Sequence, residues 1–238
     1  HLMHKTLFSL MAVLVILLPV GVFAANSAVI FMYHRFGESK HPSTNIEIKQ
    51  FEKHLKELKK RKYSVRSIPE ILKKITSNKP LPPQTIGISI DDAFLSVYAE
   101  AWPRLRKLNF PFTLFVATNP LDQQSFGYMS WNQLRKMVKA GVTVGSQTAS
   151  HLHMPVWDKK RNKADLKKSN NRFKTELGFI PKLIAYPYGE YSLMVGKISK
   201  AAGFEFGFGQ HSGVLHNSSN FMYLPRFSFN EKYGDLAR

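Results

Sequence analysis

Two adjacent carboxylates, Asp91 and Asp92, end the apolar run Thr85-Ile86-Gly87-Ile88-Ser89-Ile90, and the segment Gln147-Thr148-Ala149-Ser150-His151 follows much later. Like charges side by side are costly to bury unless a cation, a proton or several donors compensate them, so the pair points to metal binding or to acid and base chemistry. Capping of a following helix is the alternative for the dipeptide taken alone. His34 ends a second apolar run, Ala28 to Tyr33, and Tyr186-Pro187-Tyr188-Gly189 ends a third. The 238 residues include no cysteine, which excludes disulfides and thiolate ligands. Any metal must therefore be held by imidazole, carboxylate or amide oxygen.

Residues so far apart in the chain need a scaffold that brings them to one place. Ala28–Tyr33, Thr85–Ile90, Phe112–Val116, Val142–Val144, Lys182–Ala185 and Phe204–Phe208 read as short buried strands. Between them lie amphipathic stretches: Gln50–Lys62, Ile68–Ile75, a helical run through Tyr98 and Leu105 that Pro103 interrupts, Trp131–Ala140 behind a Ser130 cap, Lys159–Leu177 and Ser192–Ala202. This alternation predicts a single-domain α/β fold with a parallel sheet covered by helices, open or closed into a barrel. His34, Asp91, Asp92, Gln147, His151 and Tyr188 would then all follow the carboxyl ends of strands, where the loops of such a fold converge on a ligand. Taken singly, His34 reads equally well as a hydrogen-bonded structural histidine. His41, His54 and His216 read as surface residues, and His153 as either. Trp131, Tyr128 and Tyr186 offer flat apolar faces to a ligand, although for Trp131 the core is the better reading.

The formal net charge is +18. Much of it decorates one helix, where Lys49, Lys53, Lys56, Lys59, Lys60, Arg61 and Lys62 surround a stripe of Phe51, Leu55 and Leu58. That pattern is a solvated helix face, and no zinc finger, phosphate-binding loop or basic arm accompanies it, so nucleic acid is excluded as a partner. An anionic cell-envelope surface is compatible with the charge. Residues 1–24 carry Lys5, an apolar stretch from Leu7 to Leu18, then Pro19, Gly21 and Val22-Phe23-Ala24, the pattern of a secretory signal peptide, with an uncleaved membrane anchor as the alternative. The expected location is periplasmic or extracellular, and residues 25–238 form the expected domain.

Ser89-Ile90-Asp91-Asp92, Gly145 to His151 and Ala185-Tyr186-Pro187-Tyr188-Gly189 together resemble the polysaccharide deacetylase family, metal-dependent carbohydrate esterases with a distorted (β/α) barrel. Phe31-Met32-Tyr33-His34 further resembles its branch of exported poly-N-acetylglucosamine deacetylases, and the likeness runs from about Val29 to Arg226. The resemblance implies Asp91 as catalytic base, Asp92 and His151 as metal ligands, His34 as acid and the backbone N–H of Tyr188 as oxyanion donor. It also implies a divalent metal, Zn²⁺ with Co²⁺ or Ni²⁺ as alternatives, and an N-acetylated carbohydrate polymer as substrate. Two positions depart from the family pattern. Gln147 stands where a first histidine ligand is expected, and an amide oxygen donates less charge than imidazole, so Zn²⁺ should be held more weakly. Ala185 stands where an arginine usually partners the base, so another donor, which the sequence does not identify, must orient Asp91. A metal-poor carbohydrate-binding relative and a small-molecule acyl esterase or amide hydrolase are the competing readings. The spacing of Gln147 and His151 fits one side of a short helical turn, and the end of the chain shows no final strand.

Overall fold

The computed structural model describes residues 26–234 and 236, so the 1–24 signal segment lies outside the described residues. The first half contains β1 (Ser27–Tyr33), β2 (Arg35–Phe36), β3 (Asn45–Ile46), α1 (Ile48–Leu58), β4 (Ser64–Val65), α2 (Ile68–Thr76) and β5 (Thr85–Asp91). A π-helical turn at Val97–Ala101 leads into α3 (Trp102–Lys107), followed by β6 (Thr113–Val116), α4 (Thr118–Asp122), α5 (Trp131–Lys139) and β7 (Thr143–Ser146). Then come α6 (Lys159–Leu177), β8 (Leu183–Ala185), a 3₁₀ turn at Pro187–Gly189, α7 (Leu193–Ala201), β9 (Phe206–Phe208), β10 (Leu215–His216) and β11 (Phe227–Ser228).

The main sheet runs in the order β10-β1-β5-β6-β7-β8-β9, and β1, β5, β6, β7, β8 and β9 are parallel to one another. Every residue of β5 is buried, as expected for a strand covered on both faces, and this is why its sequence is continuously apolar rather than alternating. The sheet curls so far that residues 224–228 span its two ends. Leu224 forms a parallel bridge with Phe208 on β9, while Phe227 and Ser228 pair with Phe31 and Met32 on β1. The fold is thus a distorted (β/α) barrel in one domain. The final strand absent from the sequence reading exists as the two-residue β11, too short to leave a periodic signal.

Ile68, Ile71, Leu72 and Ile75 of α2 pack with Ile30, Phe115, Leu183 and Phe208, closing one end of the curled sheet with apolar side chains. Ser67 caps α2 by accepting the Glu70 N–H, and Pro69 occupies its first turn, where a missing N–H costs nothing. The helix at Lys159–Leu177 matches its sequence pattern to the residue, starting at the Asp158 cap and stopping at Gly178 with φ +83°. Helix α1 is displaced toward the N-terminus relative to the predicted Gln50–Lys62, because residues 59–63 turn to deliver Ser64 onto the edge of β5 opposite Thr85. The interruption attributed to Pro103 is the π-helical turn immediately before α3, where proline cannot donate to the ladder. His54 corrects another expectation. It is buried, receives its place from α1, and its Nδ1 lies 2.8 Å from the Tyr33 hydroxyl. Among the described residues no helix is long and apolar enough to cross a membrane.

Candidate active site

Strand β5 carries Asp91 as its last residue, and the chain then turns through Asp92 in the left-handed region, φ +57°. That turn breaks the strand's alternation, so neighbouring carboxylates serve one site instead of opposite faces of the sheet. Thr148 (φ +69°), His151 (φ +53°) and Tyr188 (φ +60°) also adopt left-handed backbone conformations. Such positions cost on the order of 1–3 kcal/mol each and persist only where surrounding bonds over-determine them.

The bonds around residues 147–151 do this. The Thr148 N–H donates to Ser146 Oγ at 3.0 Å, and the His151 N–H donates to Thr148 Oγ1 at 3.1 Å. From α6, the Asp165 carboxylate accepts the N–H groups of Ala149 and Ser150 at 3.0 and 3.1 Å and the Ser150 hydroxyl at 2.6 Å. The segment is therefore a pinned turn and not the short helical turn its spacing suggested. Asp165 escaped the sequence reading because a lone carboxylate inside a basic helix looks like one more surface charge.

These turns gather the candidate residues. His151 Nε2 lies 3.5 Å from Asp92 Oδ1, and His34 Nε2, just beyond β1, lies 3.9 Å from Asp91 Oδ2. Gln147 Oε1 accepts the Asp92 backbone N–H at 3.1 Å. The Tyr188 ring stands edge-on to His151 with centroids 4.6 Å apart, and His153 stacks on it at 3.9 Å while its Nδ1 lies 3.0 Å from Glu190 Oε2. His34, Asp91, Asp92, Gln147, His151 and Tyr188 thus occupy one end of the curled sheet. Tyr186 is instead buried beneath it, donating its hydroxyl to the Met222 carbonyl, so it offers no face to a sugar.

The donor that replaces the absent arginine at Ala185 comes from the opposite end of the chain. Arg226 Nη1 and Nη2 donate to Asp91 Oδ1 and Oδ2 at 2.6 and 2.8 Å, Nη1 also reaches Ser89 Oγ at 3.2 Å, and Nε donates to the Gly209 carbonyl at 2.8 Å. Both side chains are fully buried. A buried ion pair offsets its desolvation only with this kind of two-pronged geometry and nearly complete hydrogen bonding. Separated by 135 residues, the pair leaves no local mark in the sequence.

The two aspartates have different surroundings. Asp91 is sealed, whereas 18% of the Asp92 side chain and 25% of the His151 side chain remain accessible. Burial pushes the Asp92 carboxyl up to about 6, with His34 opposing the rise and Asp91 adding to it. Burial likewise pushes His151 below the ordinary imidazole value. Burial thus favours the neutral imidazole of His151, the form that can ligate a metal, and disfavours the Asp92 anion, whose charge a divalent ion would compensate. The donor set fits such an ion: a carboxylate oxygen and an imidazole nitrogen at neighbouring-ligand distance, plus an amide oxygen that keeps a second lone pair beyond its bond to the Asp92 N–H. Among the described residues no group of three or more His, Cys, Asp or Glu forms a metal cage, and the Gln147 amide oxygen is the further side-chain donor that reaches Asp92.

The sequence model for polysaccharide deacetylases matches residues 78–207, more than half of the chain and the stretch from β5 into β9. The chain belongs to the polysaccharide deacetylase family. Among curated members, the poly-beta-1,6-N-acetyl-D-glucosamine N-deacetylase of Staphylococcus aureus strain MRSA252 is 27% identical, covering 87% of this chain and 80% of that one. Solved structures share the fold. IcaB from Ammonifex degensii aligns with a TM-score of 0.78 at 24% identity, over 89% of this chain and 95% of that one. The Streptococcus pyogenes deacetylase PplD, solved with acetate, aligns with a TM-score of 0.80 at 20% identity, over 86% and 93%. This polysaccharide deacetylase therefore has its acidic pair, its histidines and its tyrosine turn on the strand ends of the family's barrel.

Proposed function

We propose that this deacetylase hydrolyses N-acetyl groups on an exported N-acetylglucosamine polymer, the substrate class named for its Staphylococcus aureus relative. The observation that carries the reading is the convergence of two histidines on two adjacent carboxylates, one sealed against an arginine and one open. A divalent ion held by Asp92, His151 and Gln147, with Zn²⁺ first and Co²⁺ or Ni²⁺ as alternatives, would supply Lewis acidity toward the acetyl oxygen and a more acidic water. Asp91, fixed by Arg226, would take a proton from the attacking water as its oxygen adds to the carbonyl carbon. The Tyr188 N–H, in the first turn of a 3₁₀ segment and so without an intrahelical acceptor, receives the developing negative charge. His34 then gives a proton to the departing nitrogen as the C–N bond breaks, leaving acetate and a free amine. The N-terminal segment supports export to the periplasm or beyond.

Acetate release from N-acetylglucosamine oligomers, measured after chelation and again with added Zn²⁺, Co²⁺ or Ni²⁺, tests this reading. Metal should restore release, Asp92→Ala should abolish calorimetric metal binding, and Asp91→Asn should keep metal while losing turnover. Release undiminished by chelation would exclude the metal role. One observation favours a second reading, a metal-poor carbohydrate-binding protein: the Gln147 oxygen is already engaged by the Asp92 N–H. Tighter Zn²⁺ binding in Gln147→His, with release rising in step, supports the enzyme. No specific divalent binding in the natural chain supports the second reading.

A further inference from the structure

Positive charge is spread unevenly over the outer helices, and α6 carries it with little compensation. Its 19 residues contain eight lysines and arginines against two carboxylates, Asp165 and Glu176. Both carboxylates are already engaged: Asp165 accepts from the Ala149 and Ser150 backbone, and Glu176 pairs with Arg135 and Arg172. Lys160, Lys163, Lys167 and Lys174 are exposed, and none of them meets a carboxylate among the described residues. On an α-helix, at about 100° and 1.5 Å per residue, these four fall within roughly 60° of arc and along about 21 Å of axis. They form a narrow stripe on one flank. Helix α7 packs beside α6, with Asn170 Nδ2 donating to the Ala202 carbonyl at 3.1 Å. It adds the exposed Lys197 and Lys200 and contains no acidic residue.

This arrangement works against the helix that bears it. The first turn of α6 has no acidic residue and opens with Lys159, Lys160 and Arg161, cations at the positive end of the helix dipole. Lys160, Lys163 and Lys167 follow one another at spacings of three and four residues, where like charges repel across the turn. Elsewhere the protein offsets such charges: Glu57 holds Lys60 and Lys62, Glu52 and Glu100 hold Arg104, and Glu205 holds Lys182. A stripe that breaks the local rules without a compensating contact is explained by a ligand that brings the counter-charge. Its residues narrow the ligand further. The large apolar side chains of α6, Leu166 and Phe173, are fully buried, so the stripe has nothing to insert into a bilayer as a membrane-surface helix does. Its four cations are all lysines, compact point charges that suit phosphate groups and lack the planar fork with which arginine grips a carboxylate.

We propose that the lysine stripe of α6, with the lysines of α7 beside it, docks a linear polyanion whose charges are phosphodiesters. Such a contact holds the protein against an anionic envelope polymer while the strand-end site stays open. Asp165 leaves the same helix on the side away from the stripe, by about 140° or more of arc, so docking and the metal-side turn use different faces of α6. Binding at the stripe therefore stands apart from the deacetylase reading, which supplies only its use.

Calorimetric titration of the full chain with poly(glycerol phosphate) tests it, with two double variants that change the net charge equally. Lys163→Glu with Lys167→Glu should weaken binding by about ten-fold or more and flatten its dependence on salt. Lys53→Glu with Lys56→Glu, on α1, should weaken it by less than about three-fold, since charges away from the contact are screened. Equal losses in the two would overturn the proposal and leave only the general attraction of a basic protein. Lys163→Gln with Lys167→Gln should also bind the polymer more weakly while Tm holds or rises, because a like-charge pair is removed. A lower Tm in that variant would overturn the proposal by showing that the lysines serve the fold. Flotation with phosphatidylglycerol vesicles separates the other source of phosphate: vesicle binding lost in Lys163→Glu with Lys167→Glu, while the polymer binds parent and variant alike, would also overturn it. Acetate release from soluble N-acetylglucosamine oligomers should be the same in the parent and in both double variants. Stripe-dependent polymer binding without acetate release sinks the deacetylase reading alone, and acetate release without stripe-dependent binding sinks the stripe alone.

Discussion

The buried arginine is the residue on which the chemistry turns. Arg226 holds both oxygens of Asp91, so the proposed base would have one orientation available when water approaches. Arg226→Lys keeps the charge but loses the fork, and kcat should fall about 10²-fold with KM nearly unchanged, the signature of a group that positions a base and does not bind substrate. Arg226→Ala leaves a sealed carboxylate without its counter-charge and should cost about 3–5 kcal/mol in urea unfolding. Restoring neutrality in Arg226→Met with Asp91→Leu should recover much of that loss, which separates the charge effect from a packing defect. Asp92 makes a different prediction, for the metal-stripped protein. Its folded value of about 6 lies above the ordinary carboxylate value, so the native state binds the proton more tightly than the unfolded chain. Its contribution is fully present below about pH 4 and is lost as the pH rises through 6. The stability difference between Asp92→Asn and the parent should therefore grow in favour of the variant between pH 4 and pH 7, and saturating Zn²⁺ should abolish that advantage.

At the scale of elements, the site depends on a loop and a helix that share no sequence neighbourhood. The Gln147–His151 turn contains two left-handed residues, one of them the β-branched Thr148, and isolated it would relax. Asp165 on α6 prevents this by taking two backbone N–H groups and one hydroxyl. Asp165→Ala should weaken Zn²⁺ binding by about 10- to 100-fold, the usual effect of losing a partner that orients metal ligands. Asp165→Asn retains an acceptor oxygen and should recover part of the affinity. If both variants bound Zn²⁺ like the parent, the turn would be held by its remaining bonds to Val116, Ser146, Thr118 and Asn119. The neighbouring 186–190 turn has its own brace, the His153 ring stacked on Tyr188 and tied to Glu190. His153, ambiguous in the sequence, thus touches the tyrosine turn and not the acidic pair.

For the whole molecule, the barrel is completed by residues 224–229, and the site is completed with it. Leu224 bridges to β9, Arg226 enters the interior, Phe227 pairs with β1, and Phe229 packs at 4.8 Å on Phe31 and 5.4 Å on Tyr33. Closure of the fold and orientation of Asp91 are therefore one event. Phe229→Ala should cost about 3–5 kcal/mol in denaturant unfolding, and turnover should fall in parallel. Loss of stability with kcat intact would show that Arg226 is held independently of the strand that follows it.

The alternation of apolar runs with amphipathic stretches determined the α/β class, and the residues after those runs determined which strand ends would carry chemistry, because burial on both faces forces continuous apolar strands and helices must hide one stripe. The gathering of His34, Asp91, Asp92, Gln147, His151 and Tyr188 at one end of the sheet was legible for that reason. Caps and stops as local as Asp158 and Gly178 set the bounds of α6 without help from the rest of the chain. Tertiary structure decided the rest. Arg226 in place of the residue missing at Ala185, Asp165 under the metal-side turn, buried His54 against Tyr33, and the two-residue strand that closes the barrel all depend on contacts between segments far apart in sequence. Local pattern records what a residue's neighbours along the chain require of it, whereas a bond across 135 residues is specified by the three-dimensional packing of everything between.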